Sequence, residues 1–425
     1  MGMSSVSANG RQTSGRIIEI DGLRGIAIFL VILWHYFAIQ TPARHGSLLA
    51  AALVSLRLTW SGVDLFFVLS GFLIGGILLD VRESTNYFST FYRRRFFRIV
   101  PLYAVLGVLY GTALRSGGRS WGGTSGHWLF DSPIPWPAFP LFLQNVAMSV
   151  RGSFDPLVLG VTWSLAVEEQ FYLTLPLLVR FVPRKRLVPV LVAIAMLAPL
   201  WRTSALCFLP RGGIVGYVSM PMRADSLLAG VFAAILIRTN DAWAMVERRR
   251  GWIKIAVLVL AAAGLCAMAL NATRIGSPLM STVGYSGIAL FYALVLLLAL
   301  SGPRGRLGRF LRGRWLGALG EIAYGTYLLH VAIIGICFGL IFGSAPRVTT
   351  FTEFGVTLLA LAVTVVIAKA SWTFFEKRMM VVGKRYSYDA PPEARSAARQ
   401  PDREAPALGV ARLLDDCSSP SLEAS

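Results

Sequence analysis

The chain has 425 residues, of which 55% are apolar and only 15% are charged, and its mean hydropathy is +0.61. This composition excludes an ordinary soluble domain of the same length and predicts an integral membrane protein. No base-reading motif accompanies the net charge of +19, so nucleic-acid binding is not predicted and the charge is interpreted as attraction to anionic membrane lipids. The four cysteines lack metal-ligand or redox spacing, so neither a metal site nor a disulfide framework is predicted.

Runs of about 17 to 25 apolar residues, the length that crosses about 30 Å of hydrocarbon, recur along the chain. They predict an all-α integral membrane bundle of about ten transmembrane helices. The predicted spans are 23–40, 60–80, 96–114, 163–182, 187–201, 223–238, 252–270, 281–300, 321–343 and 351–375. The prediction divides the chain into a flexible N-terminus (1–20), a transmembrane domain (21–378) and a disordered tail (379–425). Because Lys and Arg concentrate in alternate loops, both termini are predicted to be cytoplasmic.

The first predicted helix contains two ionisable residues, Arg24 and His35, within the sequence LRGIAIFLVILWHYFAI. Eleven residues of an α-helix advance about 16 Å and complete nearly three turns, so both side chains are predicted to lie on one face. Ionisable groups are costly in lipid and usually face a protein interior or a water-filled site. The spacing therefore predicts a chemical site inside the bundle.

The second and third predicted helices begin with charged residues. Asp64 opens the second helix, where an N-cap or a pairing with Arg57 explains it as well as chemistry does. The third helix begins YRRRFFRIVP, in which Arg95 and Arg98 are three residues apart and share a face, with Arg94 beside them. These arginines indicate either snorkelling side chains that fix the helix orientation or an anion site, because guanidinium groups bind phosphate bidentately.

The fourth predicted helix carries two adjacent carboxylates, Glu168 and Glu169, about 8 Å inside its outer boundary. Adjacent helical residues face different directions, so the two acids are expected to have different partners. If this helix and the first run in opposite directions, Glu168 comes within reach of His35 and makes it a general base for a hydroxyl. The other carboxylate is expected to point toward a loop or toward an outer partner such as Arg202, Arg211 or Arg223. A structural ion pair is the alternative.

Further residues are candidates for contacts with a substrate, and Asp64 is grouped with them. Trp163 is one of several outer tryptophans that could stack on sugar rings, although anchoring at the membrane interface explains them as well. Asp225, beside Arg223, is typical of a carboxylate at a helix N-terminus, where packing is the default interpretation. His330 lies mid-membrane in the ninth predicted helix and either lines the same cavity or is a structural histidine.

Several motifs occur in a fixed order between residues 18 and 377: DGLRGIAIFLVILWHY, GVDLFFVLSGFLIGGIL, the arginine pair before IVP, TWSLAVEEQFYL, RADSLLAG, GEIAYGTYLLH and a closing FFEK. In this order they resemble the acyltransferase 3 family, membrane enzymes that acylate cell-surface carbohydrates and some small molecules. The resemblance implies an acyl-CoA donor bound from the cytoplasmic side and no permanently bound cofactor. It also implies that His35 is the essential histidine, with Arg24 as its partner.

The resemblance agrees with the cationic residues, because coenzyme A carries several phosphates. Four arginines are predicted to bind the donor: Arg24, Arg94, Arg95 and Arg98. His35 would either accept the proton of the acceptor hydroxyl or carry the acyl group transiently. Glu168 would orient His35, with Glu169 as a close second.

The chain is therefore predicted to be a membrane O-acyltransferase, with O-acetyl transfer from acetyl-CoA favoured. Its predicted acceptor is a hydroxyl of a cell-envelope glycan, a lipid-linked sugar or a glycosylated metabolite, and its predicted location is the cell inner (plasma) membrane. A multi-span secondary transporter of an anionic or sugar substrate is an alternative, since broken helices and buried charges also describe transporters. A non-catalytic receptor or scaffold is another alternative.

Overall fold

The computed structural model describes residues 17–42, 53–121, 123–132 and 134–389. Within these ranges every regular element is helical, which confirms the all-α fold class. The helices are α1 (Ile18–Leu33), α2 (Gly62–Asp80), α3 (Tyr87–Arg115), α4 (Thr124–Phe130), α5 (Gln144–Arg151), α6 (Leu157–Gly160), α7 (Trp163–Phe181), α8 (Arg184–Phe208), α9 (Gly212–Val218), α10 (Met220–Arg238), α11 (Asn240–Arg248), α12 (Arg250–Ala269), α13 (Tyr285–Ser301), α14 (Arg306–Leu311), α15 (Arg314–Glu321), α16 (Ala323–Phe342), α17 (Phe351–Ser371) and α18 (Lys377–Lys384). Five-residue π-helical turns extend α1, precede α13 and join α17 to α18: Trp34–Ala38, Met280–Gly284 and Trp372–Glu376.

Nine helical segments of the described residues are long and apolar enough to cross a membrane. They correspond to nine of the ten predicted spans. The predicted span 163–182 forms α7, a helix of only 19 residues, and any 18-residue stretch of it contains all three of its charged residues, Glu168, Glu169 and Arg180. α7 packs against α2 and α10, so neighbouring helices cover much of its polar surface.

Ion pairs between helix ends define one end of the bundle, which we call the basic end. There Arg312 binds Glu19 at 2.7 Å, and Arg238 binds Asp80 through two hydrogen bonds of 2.7 Å. α1 begins at this end, and Asp389, the last described residue, also lies there through its contact with the start of α3. We call the opposite end, where α1 finishes, the far end. The cytoplasmic location of the termini stays a prediction.

Glycines let α2 and α10 approach closely. A Cβ atom added at Gly71 would lie 1.8 Å from the carbonyl oxygen of Leu227, and one added at Gly230 would lie 1.9 Å from that of Val68. Small residues allow this backbone contact between membrane helices, where van der Waals packing drives association. The contact therefore fixes the position of α2 relative to α10.

The ordered domain ends later than predicted. Residues 379–389, expected to be disordered, form most of α18 and a segment that contacts the start of α3. Arg94 donates a 2.7 Å hydrogen bond from Nε to the carbonyl of Tyr386, and Asn86 binds the main chain of Ser387 and Asp389. These contacts order a sequence whose composition alone predicts disorder. Most of the predicted terminal segments, residues 1–16 and 390–425, lie outside the described residues.

Candidate active site

A cavity of about 160 Å³ lies inside the bundle between α1, α2, α3, α7 and α16. Its lining includes three of the four arginines predicted to bind the donor, namely Arg24, Arg95 and Arg98, together with Glu168. From the arginines it extends along apolar side chains of α2 toward Ser164 and Tyr327. Most of the charged residues that line this cavity were therefore predicted from the sequence. We call it the central cavity.

The cavity arginines have unused hydrogen-bonding capacity. Arg95 and Arg98 are half-buried, and neither has an ion pair or hydrogen bond within the described residues. Arg24 forms a long ion pair with Asp21, 3.8 Å from Nη1 to Oδ1. Four carboxylates also line the cavity, those of Asp21, Glu168, Glu321 and Glu376, so it carries charges of both signs. The guanidinium groups of Arg95 and Arg98 nevertheless keep their hydrogen-bond donors available to a ligand.

The fourth donor-binding candidate, Arg94, lies outside the cavity lining. In addition to its bond to Tyr386, its guanidinium group stacks over the ring of Tyr388, 4.9 Å from the centroid. Arg94 therefore holds the C-terminal segment against α3. It precedes Arg95 in the helix, and adjacent helical residues project about 100° apart, so only one of the two can face the cavity.

The two adjacent glutamates have different surroundings, as expected, but neither has the predicted partner. Glu168 accepts hydrogen bonds from the hydroxyls of Ser70 at 3.0 Å and Tyr172 at 2.6 Å. One carboxylate oxygen of Glu169 is buried without a hydrogen-bond partner among the described residues. The predicted contact of Glu168 with His35 is wrong, and so is the expected pairing of the other acid with Arg202, Arg211 or Arg223, because Arg202 and Arg223 bind aspartates and Arg211 binds the carbonyl of Val150.

The predicted catalytic histidine lies beside the second candidate histidine. The rings of His35 and His330 meet edge to face with centroids 4.7 Å apart. His35 Nδ1 lies 2.9 Å from the carbonyl of Val31, and His330 Nδ1 lies 2.7 Å from that of Tyr327. Since a carbonyl only accepts, each neutral ring carries its proton on Nδ1 and presents a lone pair at Nε2. His330 is fully buried, and its Nε2 has no partner within the described ranges.

Neither histidine lines the central cavity, so Arg24 and His35 do not share one cavity as predicted. Tyr327 forms the wall between them, because its side chain lines the cavity while its ring lies 5.9 Å from that of His330. The Tyr327 hydroxyl lies 2.6 Å from that of Ser164. Sequence reasoning missed both hydroxyls, since Ser and Tyr are ordinary residues of membrane helices and carry no charge.

The predicted substrate-contacting residues other than His330 belong to a packed layer near the far end. Asp64 and Arg223 form an ion pair in which both side chains are fully buried. Asp225 binds Arg202 through two hydrogen bonds of 2.9 and 3.0 Å. The pairing of Asp64 with Arg57 is therefore wrong.

Trp163 is buried in the same layer, with its ring 4.6 Å from that of Tyr217. Asp64, Asp225 and Trp163 do not line the central cavity. Their contacts give them a structural function, which is to join α2, α7, α8 and α10 through buried charges and aromatic packing. No group of three potential metal-binding side chains occurs in the part of the chain that the structure describes.

Together, the membrane-spanning helices, the cavity lined by charged residues and the adjacent histidine pair define a polytopic membrane protein with a polar site inside its bundle. The chain belongs to the acyltransferase 3 family, since the family model, described as an acyltransferase domain, matches residues 17–371. The predicted family is therefore confirmed. The comparison supports neither the transporter nor the scaffold alternative.

Curated relatives agree with this assignment. The chain is 28% identical to the peptidoglycan O-acetyltransferase OatA of Listeria monocytogenes over 379 residues, which cover 84% of the chain and 55% of the relative. It is 29% identical to the acyltransferase MdmB of Streptomyces mycarofaciens over 409 residues, which cover 87% of the chain and 93% of the relative. The O-acetyltransferase OatA of Staphylococcus aureus is 25% identical over 385 residues, with 84% of the chain and 56% of the relative covered. The chain thus spans little more than half of either OatA protein, and no solved structure matches it.

Proposed function

We propose that this protein is an O-acetyltransferase of the plasma membrane that binds acetyl-CoA from the basic end, on the cytoplasmic side. The acetyl group is transferred to a hydroxyl of a glycan, a lipid-linked sugar or a glycosylated metabolite that approaches from the far end. The observation that carries this proposal is the presence of Arg24, Arg95 and Arg98 in one cavity inside the bundle. The names of the OatA relatives, which specify O-acetyl transfer, support the choice of acyl group.

The cavity suits both parts of the donor. Its arginines provide charge-assisted hydrogen bonds for phosphate oxygens, which are among the strongest that proteins form. Beyond them, α2 contributes an apolar wall that includes Leu69, Leu73 and Ile77, beside which the pantetheine arm can extend. With phosphates on the arginines, the thioester is directed toward the inner end of the cavity at Ser164 and Tyr327.

In the proposed reaction His35 is the general base. Its Nε2 lone pair accepts the proton of the acceptor hydroxyl while the acceptor oxygen forms a bond with the thioester carbonyl carbon. The carbon–sulfur bond then breaks, and coenzyme A leaves as a thiolate that takes up a proton. Val31 supports this function because its carbonyl fixes the His35 tautomer with Nε2 unprotonated. For the reaction, the acceptor and the thioester must meet at the wall formed by Tyr327.

The proposal is tested with the full-length protein in lipid nanodiscs, by measuring coenzyme A binding and the transfer of radiolabelled acetyl groups. Arg24→Ala and Arg98→Ala are expected to weaken coenzyme A binding by about tenfold or more, because each removes a charge-assisted hydrogen bond. Arg186→Ala is the matched control, since Arg186 is an exposed arginine of the basic end that does not line the cavity. If the wild-type protein neither binds coenzyme A nor consumes acetyl-CoA, the proposed function is wrong.

The acceptor requires a second experiment in cells. Envelope glycans and secreted metabolites from cells with and without the gene are compared by mass spectrometry. The proposal predicts a species that loses one acetyl group when the gene is deleted and regains it with the wild-type gene but not with His35→Ala. A lost acyl group larger than acetyl would retain the enzyme class and overturn the choice of acetyl-CoA.

A further inference from the structure

The inner end of the central cavity is closed by two hydroxyl groups from different helices. Ser164, in the first turn of α7, and Tyr327, in α16, have their side-chain oxygens 2.6 Å apart. The Tyr327 hydroxyl also donates to the carbonyl of Val161 at 2.8 Å. Both side chains line the cavity, and the ring of Tyr327 lies between it and His330. This hydroxyl pair neither accepts the proton nor binds the phosphates in the proposed reaction.

Both protons of the pair are held by protein oxygens, and the Ser164 hydroxyl has two acceptors within reach, the phenol oxygen at 2.6 Å and the carbonyl of Val161 at 3.4 Å. The phenol has one proton, and when it donates to Val161 the Ser164 hydroxyl has to donate to the phenol oxygen. Two hydroxyl protons and one carbonyl acceptor thus form a short chain that begins at Ser164, beside the cavity, and ends at the carbonyl of Val161. An anionic oxygen placed in the cavity would compete well for these protons, because hydrogen bonds to a charged acceptor are about twice as strong as neutral ones.

We propose that the hydroxyls of Ser164 and Tyr327 form the oxyanion site for the thioester carbonyl. This inference rests on the proposed function and assigns catalytic residues to it. When the acceptor oxygen bonds to the carbonyl carbon, the electron pair of the carbonyl moves to its oxygen, and the two hydroxyls donate hydrogen bonds to that anion. The anion then re-forms the carbonyl, the carbon–sulfur bond breaks, and coenzyme A leaves as the thiolate.

The position of the pair fits this function in two respects. It lies at the end of the cavity opposite the arginines, where a donor anchored by its phosphates would place the thioester. It also lies near the general base, because the main-chain carbonyl of Tyr327 binds His330 and His330 contacts His35. The oxyanion donors and the general base are therefore separated by His330. To bind the oxyanion, the two hydroxyls exchange their bonds within the pair for bonds to the developing charge, and donors placed at such a charge contribute strongly to catalysis.

The test uses Tyr327→Phe, which removes one donor and retains the ring that forms the wall. The structure offers a matched control in Tyr292→Phe, because Tyr292 and Ser61 form a second buried Tyr–Ser hydroxyl pair, 2.8 Å apart, outside the cavity lining. Tyr327→Phe is expected to lower kcat for acetyl transfer about a hundredfold, the usual effect of losing one oxyanion donor. Coenzyme A binding is expected to stay within about twofold of wild type, and Tyr292→Phe to remain near wild-type activity.

A second measurement separates donation of a proton from structural support. Replacing Tyr327 with 3,5-difluorotyrosine keeps the ring and the hydroxyl but makes the phenol more acidic. Because a phenolate cannot donate a hydrogen bond, kcat is expected to fall at a lower pH than in the wild type. The same replacement at Tyr292 is expected to leave the pH profile unchanged.

Equal kcat values for Tyr327→Phe and Tyr292→Phe would overturn the inference, as would an unchanged pH profile with difluorotyrosine at position 327. Either result with an active wild-type enzyme leaves the proposed function standing. A wild-type protein that transfers no acetyl group would instead overturn the proposed function itself. Should Tyr327→Phe fail to fold, the fluorinated protein and Ser164→Ala, which is expected to show the same loss of kcat, decide the question.

Discussion

His35 and His330 contact each other edge to face, and each donates its Nδ1 proton to a main-chain carbonyl of its own helix. Both rings therefore present an unprotonated Nε2, although they belong to helices almost 300 residues apart in the chain. The carbonyls that fix the two tautomers belong to Val31 and Tyr327. A histidine pair arranged in this way can accept a proton without first losing one.

This relationship predicts the effect of removing the base. His35→Ala is expected to lower kcat by about 10²- to 10⁴-fold, the usual contribution of general base catalysis, with coenzyme A binding unchanged because His35 does not line the donor cavity. His127→Ala is the control, since His127 is an exposed histidine paired with Asp131. Acetyl transfer and coenzyme A binding are measured on the same nanodisc preparations. A His35→Ala enzyme that keeps wild-type kcat would show that another group takes the proton.

The buried ion pair of Asp64 and Arg223 predicts a large effect on stability. Asp64→Ala leaves the Arg223 guanidinium fully buried without its carboxylate, and breaking one partner of a buried pair costs about 3–5 kcal/mol. Glu83→Ala provides the comparison, because Glu83 pairs with Arg184 at the surface, where an ion pair contributes about 0–1 kcal/mol. Thermal unfolding in detergent is expected to show a much lower midpoint for Asp64→Ala. Equal midpoints for the two variants would contradict the assignment of Asp64 to structure.

The close approach of α2 and α10 predicts that Gly71 cannot carry a side chain. In Gly71→Ala the added Cβ atom would lie 1.8 Å from the Leu227 carbonyl oxygen, so the two helices would have to separate. We expect poor yield of folded protein by size-exclusion chromatography. Gly111→Ala is the control, because no atom lies within 4 Å of a Cβ added there. Normal yields of both variants would show that the helix pair can adjust by sliding.

The sequence predicted the helices and the charged lining of the cavity better than it predicted the partners of buried charges. Arg24 and Glu168 were recognisable because each interrupts an apolar run, and a charge in such a run usually faces a protein interior. Arg98 was recognisable because it lies one helical turn from Arg95. The partner of Asp64, however, is 159 residues away in the chain. Hydropathy shows that a charge is buried but not which helix packs against it.

Two other features could not be predicted for physical reasons. Arg202 and Arg223 were assigned to outer loops, although both are fully buried, because the polar residues near them look like loop sequence until the aspartates opposite are known. The wall that separates Arg24 from His35 depends on Tyr327, whose position is set by the packing of α16 and not by a local pattern. Contacts between distant helices decide both features.

Arg94 provides a prediction that separates its observed contacts from the function first expected of it. Arg94→Ala removes the hydrogen bond to Tyr386 and the stacking over Tyr388 but no residue of the cavity lining. We therefore expect the KM for acetyl-CoA to stay within about twofold of wild type, while the released C-terminal segment becomes sensitive to chymotrypsin, which cleaves after tyrosine. Arg115→Ala, at the opposite end of α3, is expected to change neither property. If Arg94→Ala raised the KM for acetyl-CoA as much as Arg98→Ala does, without increased cleavage, Arg94 would instead be a donor-binding residue.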